Sequence, residues 1–464
     1  MELSALLSKC QGNRWVNVEV TLFLFSACLG SMMTVVNPQM KQKLYRVHNE
    51  YMLERNYTET EASDFVQKNI VFWTQLNLLI PMPLSIVTGI LYGAYADHHG
   101  RQFIILCGLV ASLTDFIQYS LMFSYSVDAP LYTIVIGGLI AACFGEFFLV
   151  MTVSMDSGRI IGGLLGAFLP SVMSIPTMFA CLVGVTCVTS GWTLLTVRQF
   201  PPLKSRTGTW VEMGRKVNPD EVARTEDSKK PASILSNWKR NCTRGFKDTL
   251  HVLIRPRSGH VRFFLWAMLA ADFFFILIMI QYMILLGIYV VGEPLNWKEQ
   301  EIGLFISASA LLELVALPLI MALFTRILRL DHSTIMAIGF LGFAAKMLPI
   351  AFVSQTWHIY LSTIIGAVAT VIHPALKSFV GSLLSHDEIG KFYGVTSVTS
   401  KSAVIFQTVV LQETYKATLS WFPAFVWLLL AAFACAMALL LSVVQLIYAK
   451  EKHFLDGKEK TENQ

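Results

Sequence analysis

The chain's apolar residues fall into twelve runs of roughly 20, the length a helix needs to cross about 30 Å of hydrocarbon at 1.5 Å per residue. Lipid offers the backbone no hydrogen bonds, so only helices or closed barrels can cross it. The runs are continuous and not alternating, which selects helices. Composition agrees. Of 464 residues, 54% are hydrophobic and 14% charged, with a mean hydropathy of +0.56; a soluble chain carries about a quarter charged residues. The spans are expected at 18–38, 70–92, 102–124, 131–153, 157–176, 178–197, 263–290, 302–324, 333–353, 357–384, 392–412 and 420–448.

Met1 to Val18 contains Lys9 and Arg14 and no cleavable apolar core, so span one is expected to act as its own insertion signal. Basic residues set the orientation. With the N-terminus in the cytosol, cytosolic segments receive 26 of the 36 lysines and arginines and exoplasmic loops receive 7. Both termini are therefore expected in the cytosol. All eight cysteines (Cys10, Cys28, Cys107, Cys143, Cys181, Cys187, Cys242, Cys435) fall in spans or cytosolic segments. No external disulfide framework is expected, and no metal-ligand spacing occurs.

The segment 198–262 is the only long polar interruption, with fifteen basic against six acidic residues and Pro201-Pro202 near its start. It reads as a solvated cytosolic linker, with contact to anionic lipid as the sharper alternative. The chain thus divides into a cytosolic N-terminus (1–17), a six-helix half (18–197), the linker, a second six-helix half (263–448) and a cytosolic tail (449–464). Two such halves match a transporter built from related repeats.

The strongest local motif follows span two: Gly93-Ala94-Tyr95-Ala96-Asp97-His98-His99-Gly100-Arg101-Gln102. It resembles the signature of the major facilitator superfamily, G-x-x-x-D-x-x-G-R-[KR]. Glycines permit a tight turn, and an acid and an arginine at adjoining helix ends can form a charge-assisted clamp. The resemblance implies a latch made by Gly93, Asp97, Gly100 and Arg101 on the cytosolic side. Gln102 replaces the usual final base. The plainer alternative is an ordinary basic cytosolic turn.

In the second half, Pro294-Leu295-Asn296-Trp297, Ile302-Gly303, His373-Pro374-Ala375-Leu376-Lys377, Glu388-Ile389-Gly390-Lys391, Tyr415-Lys416-Ala417-Thr418 and Phe422-Pro423 are similar to solute carrier family 46, the family of the proton-coupled folate transporter. The resemblance implies proton-coupled movement of organic anions such as folates, pterins or nucleotide-like solutes. Three features depart from the family. Met279 stands at the place of a span-seven histidine, the exoplasmic cysteine pair is missing, and residues 131–197 must hold three spans in 67 residues. That shortening falls near Met155–Arg159, so part of a helix is expected to be missing, and a truncated span five would compromise topology or activity.

Ionisable groups inside spans are costly and point to function. The spans hold Asp115, Glu146, Asp272, Glu313, Lys346, Lys377 and Lys401, with Asp156 at the start of span five. A carboxylate deep in span four, at Glu146, suits a proton carrier. The resemblance aligns Glu146 with an acid on the family's fourth helix and Asp156 with a span-five acid tied to proton coupling. The alternative for Glu146 is a purely structural hydrogen bond. Lys377 lies mid-span after Pro374, whose missing N–H kinks a helix and bares polar backbone. A lysine there can hold an anion, or pair with an acid between turnovers. The folate transporter has an arginine at this place; a lysine is a point charge and recognises carboxylates more loosely. His373, four residues earlier, shares its face; it is a possible proton relay or a satisfied core histidine. Glu313 and Lys401 are further candidates to face the solute, with no pairing derivable. Asp272 and Lys346 are expected near span ends, free to snorkel.

Asn56-Tyr57-Thr58 is a glycosylation sequon on the exoplasmic side; Asn241-Cys242-Thr243 falls in the cytosolic linker. Glu2-Leu3-Ser4-Ala5-Leu6-Leu7 fits an acidic dileucine pattern for endolysosomal sorting, so the membrane is the plasma membrane or an endolysosomal one. The expectation is an all-α membrane protein of the major facilitator fold, a secondary transporter that symports protons with a small organic anion. No cofactor is called for beyond the proton gradient, and no nucleic acid is expected as a partner. The oligomeric state is not legible. A non-transporting receptor or scaffold on the same fold is the alternative; no P-loop, metal cluster or nucleophile–base pair suggests an enzyme.

Overall fold

A computed structural model describes residues 14–88, 102–124, 127, 129–144, 153–196, 255, 259–384 and 386–462. The signature residues Gly93, Asp97, Gly100 and Arg101, the acid Glu146, the dileucine pattern, Asn241 and nearly all of the linker lie outside these residues. In the described residues the chain forms α1 Arg14–Val47, α2 Glu59–Thr88, α3 Gln102–Met122, α4 Thr133–Phe144, α5 Val153–Val172, α6 Ile175–Thr196, α7 Val261–Tyr289, α8 Glu299–Ile327, α9 His332–Ala351, α10 Thr356–Leu383, α11 His386–Phe406 running on to Thr418, and α12 Phe425–Glu462. A short helix, Asn49–Glu54, caps the α1–α2 connection.

Ten of these helices are long and apolar enough to cross a membrane. The described part of α4 is apolar but 12 residues long. Helix α5 has the length, 20 residues, but Asp156, Arg159 and its glycines dilute its hydropathy. Expected and observed spans agree to within a few residues for α7 to α10, while α11 runs on to Thr418 and α12 begins at Phe425 and continues to Glu462. The first two differ. Helix α1 continues to Val47 and α2 begins at Glu59, because polar side chains beyond the apolar runs find partners that keep the backbone helical. The Lys43 ammonium donates to the carbonyls of Met122, at 2.6 Å, and Ala129. Thr58 and Glu61 form a reciprocal capping box that starts α2.

Helix α5 runs unbroken through Met155–Arg159 for 20 residues and packs along both α1 and α8. Two glycines make that possible. A Cβ on Gly162 would lie 2.2 Å from the Ala27 carbonyl oxygen of α1, and one on Gly163 would lie 2.4 Å from Ser307 Oγ of α8. In lipid, where apolar surface gains little by leaving its solvent, close backbone approach supplies the packing that joins helices. Side chains add bonds across the same seams. Ser31 Oγ donates to the Gly162 carbonyl at 2.9 Å, Ser26 Oγ to Met155 at 2.7 Å, and Ser307 Oγ to Ile160 at 2.8 Å.

The pairs α3–α6 and α1–α5 build the first half; α7–α11, α9–α12 and α9–α10 build the second. The halves meet along α5–α8, α1–α8 and α2–α11. Several bonds between them cluster at the face that carries the α1–α2 and α7–α8 connections. There Gln39 Nε2 donates to Glu299 at 2.9 Å, and Lys41 Nζ donates to the Val291 carbonyl at 2.7 Å and to Asn296 Oδ1 at 2.9 Å.

Candidate functional site

The ionisable side chains of the helices fall into groups that the sequence alone does not join. The first lies inside the second half. Asp272 of α7 is 5% exposed and accepts a hydrogen bond from Ser400 Oγ of α11 at 3.3 Å. Lys377 of α10 is half-buried and lies within electrostatic reach of the Asp272 carboxylate. His373, one turn before Lys377, stacks its ring on Phe275 of α7 with centroids 5.7 Å apart and planes 8° from parallel. Pro374 explains the local shape of α10. It offers no N–H to the carbonyl four residues back, and the preceding turn, Ala367–Val371, tightens into a 3-10 helix. Asp272 is therefore not a snorkelling end-of-span acid but a buried carboxylate held by Ser400, with Lys377 within electrostatic reach.

Lys346 is likewise buried, at 6% exposure. Its ammonium sits 3.7 Å from the centre of the Tyr282 ring, a desolvated cation–π contact. Its stem passes Gly366 of α10, where a Cβ would lie 2.3 Å from Lys346 Cδ. The expectation that it snorkels does not hold.

The second group joins the two halves. Arg159 of α5 donates from Nη2 to Asp156 Oδ1 at 2.5 Å and to Glu313 Oε2 of α8 at 2.8 Å. The three side chains are 21%, 13% and 30% exposed in the order Arg159, Asp156, Glu313. Glu313 thus faces its counter-ion across the seam, and Asp156 shares it. A third group also bridges the halves. Lys401 Nζ of α11 donates to Ser85 Oγ of α2 at 3.3 Å. Nearer the α1–α2 face, Gln75 Nε2 donates to the Thr408 carbonyl at 3.0 Å and Lys416 Nζ donates to Gln75 Oε1 at 2.8 Å. Thr408 sits in the π-helical turn Gln407–Leu411, a form often found at functional places. Asn56 is exposed in the α1–α2 connection, as a glycan acceptor must be.

Arg159 is the residue that sequence reading missed. The crowded stretch 131–197 left only a turn near Met155–Arg159, and a base in a turn needs no explanation. The signal was available in the apolar run that follows, since a helix begun at Val153 sets Asp156 and Arg159 one turn apart on one face.

Comparison with known proteins fixes the family. The Major Facilitator Superfamily profile matches residues 149–408, more than half of the chain. The chain belongs to the major facilitator superfamily. Among curated relatives, solute carrier family 46 member 2 of Mus musculus is 24% identical over 137 residues, 30% of this chain and 28% of that protein. The lysosomal proton-coupled steroid conjugate and bile acid symporter of Homo sapiens is 26% identical over 214 residues, 45% of each chain. The matched stretches thus span less than half the length of these relatives. Among solved structures, the human organic anion transporter MFSD10 superposes with a TM-score of 0.55 at 14% identity, covering 93% of this chain and 99% of the other. A peptide transporter, POT, in complex with sulfate does so with a TM-score of 0.55 at 13% identity, covering 93% and 94%. At such identities these structures speak for the fold. Family and fold point to a membrane transporter and not to an enzyme.

Proposed function

We propose that this major facilitator protein is a secondary active transporter that moves a small organic anion together with protons. The observation that carries the reading is Lys377 within electrostatic reach of Asp272, with Ser400 bonded to Asp272 and the His373 ring on Phe275, where α7, α10 and α11 pack together. A half-buried cation with an acid nearby to balance its charge suits an anion site. The solute's anionic group binds Lys377 directly, and Asp272 offsets the lysine's charge when the solute is absent. Glu146 is the first candidate to carry the proton and Asp156 the second. Glu313 and Lys401, each bonded across the seam between the halves, are the further candidates to meet the solute.

The candidate solutes are folates, pterins and nucleotide-like anions. To these the human relative's steroid conjugates and bile acids are added as the class that its name prints. Both termini are assigned to the cytosol. The bonds of Gln39 and Lys41 then close the exoplasmic face, and Asn56 lies where a glycan can be added. That relative is lysosomal, which supports an endolysosomal membrane ahead of the plasma membrane.

The test is uptake of labelled taurocholate, estrone sulfate and folate into liposomes holding the purified full chain. Removing Lys377 takes away one charge-assisted bond of about 1.5–3 kcal/mol, roughly a tenfold or larger rise in half-saturating concentration. Lys377→Ala is expected to show that rise for the transported probe, while Lys377→Arg keeps affinity close to wild type. Unchanged half-saturation in Lys377→Ala would remove Lys377 from the site.

A further inference from the structure

Arg159 meets both of its carboxylates through one nitrogen. Asp156 Oδ1 and Glu313 Oε2 both lie on Nη2, and no described residue bonds to Nη1 or Nε. A guanidinium pairs best when two parallel N–H bonds meet two oxygens of one acid. Here neither carboxylate takes that geometry, and the rest of the fork stays open on a side chain that is 21% exposed. Helix α1, which packs along α5, has no charged residue between Glu19 and Lys41. Nor is the ion pair needed to hold the halves together at this place, since Gly163, Gly303 and the Ser307 bond to Ile160 already bring α5 and α8 into backbone contact.

Resting on the reading of this protein as an anion carrier, we propose that Arg159 is a second anion anchor. Its open fork takes an oxyanion of the solute (a carboxylate, sulfonate or sulfate ester) in bidentate fashion, in exchange for Glu313. Glu313 belongs to the other half, so each anion bound on Arg159 exchanges one inter-half ion pair for a contact with the solute, while the glycine and Ser307 contacts keep α5 against α8. Asp156 stays on Nη2 throughout, which keeps the guanidinium aimed.

The reading makes two neighbouring substitutions act in opposite directions. Binding of taurocholate, estrone sulfate and folate to the purified full chain is measured by thermal stabilisation and by radioligand saturation, in wild type, Arg159→Lys, Glu313→Gln and Lys377→Ala. Arg159→Lys keeps the charge but loses the fork, and binding of the anion that wild type takes is expected to weaken roughly tenfold. Glu313→Gln removes the competitor, and binding of the same anion is expected to tighten by roughly threefold or more. A purely structural bridge would make both variants weaken binding together, and that result overturns the proposal. So does wild-type affinity in Arg159→Lys. If Lys377→Ala weakens binding while Arg159→Lys does not, the second anchor fails and the anion reading stands. If wild type binds none of the three probes, both fail. Should Arg159→Lys not fold, Glu313→Gln decides by its sign alone.

Discussion

Gly162→Ala should destabilise this protein although alanine is the better helix former. An added Cβ would lie 2.2 Å from the Ala27 carbonyl oxygen, where contacts under 3.0 Å do not occur, so α5 and α1 must part by about 0.8 Å. Parting the helices by that much stretches the Ser31 bond to Gly162 from 2.9 Å past the hydrogen-bond limit of about 3.2 Å. It also opens a gap along the Gly158–Gly166 face, and a gap of roughly 0.5–1 Å forfeits a quarter to a half of each dispersion contact. The expected cost is about 1–3 kcal/mol, the usual penalty of overpacking. Gly184→Ala and Gly191→Ala are the internal controls. Nothing lies within 4 Å of an added Cβ at either place on α6, so each should gain up to about 1 kcal/mol of helix propensity. Thermal unfolding of the three purified variants in one detergent reads the difference. Gly162→Ala should melt several degrees below wild type and the two controls at or above it. If all three melt together, the α1–α5 seam is not the close-packed joint described here.

Asn56→Gln made in a eukaryotic secretory pathway should migrate faster on a gel than wild type and match the deglycosidase-treated parent; a wild type insensitive to the enzyme would remove the support for an exoplasmic α1–α2 connection. Asp97→Asn and Arg101→Ala should each lower turnover more than abundance in the membrane, measured as initial uptake per reconstituted molecule. Normal turnover in both would dismiss the latch assignment.

What the sequence conveyed, and what it withheld, follows from the distances over which the signals act. Length and apolarity are local, so the helices near 263–290, 333–353 and 357–384 could be placed to within a few residues. The His373–Lys377 face is also local, since four residues are one helical turn. The ends of α1 and α2 were misjudged because Lys43 and Thr58 hold their helices through partners that hydropathy does not count. Burial of Lys346 depends on Tyr282 and on the missing side chain at Gly366, residues 64 and 20 positions away, and no periodicity encodes that. The Arg159–Glu313 pair spans 154 positions and two repeats. Glu313 is visible as an ion in an apolar run and Arg159 reads as a base in a turn; only packing of α5 on α8 makes them partners. Counting residues per span predicts a shortened helix near Met155–Arg159, where α5 runs unbroken from Val153 to Val172. Glycines at 158, 162, 163 and 166, set on faces that meet α1 and α8, were the better guide.

The most direct test of the whole reading is net accumulation driven by a proton gradient. The full chain would be reconstituted into liposomes, with the gradient imposed acid on the exoplasmic side. Uptake of taurocholate, estrone sulfate and folate would be followed with and without a protonophore, alongside Glu146→Gln. The expected result is accumulation of at least one of these anions beyond its equilibrium level, abolished by the protonophore. In Glu146→Gln, counter-exchange should survive while net accumulation disappears. Full pH-driven accumulation in Glu146→Gln would move the proton to Asp156. A well-folded wild type that moves none of the three anions at any pH would contradict the transporter reading and leave a receptor built on a transporter fold.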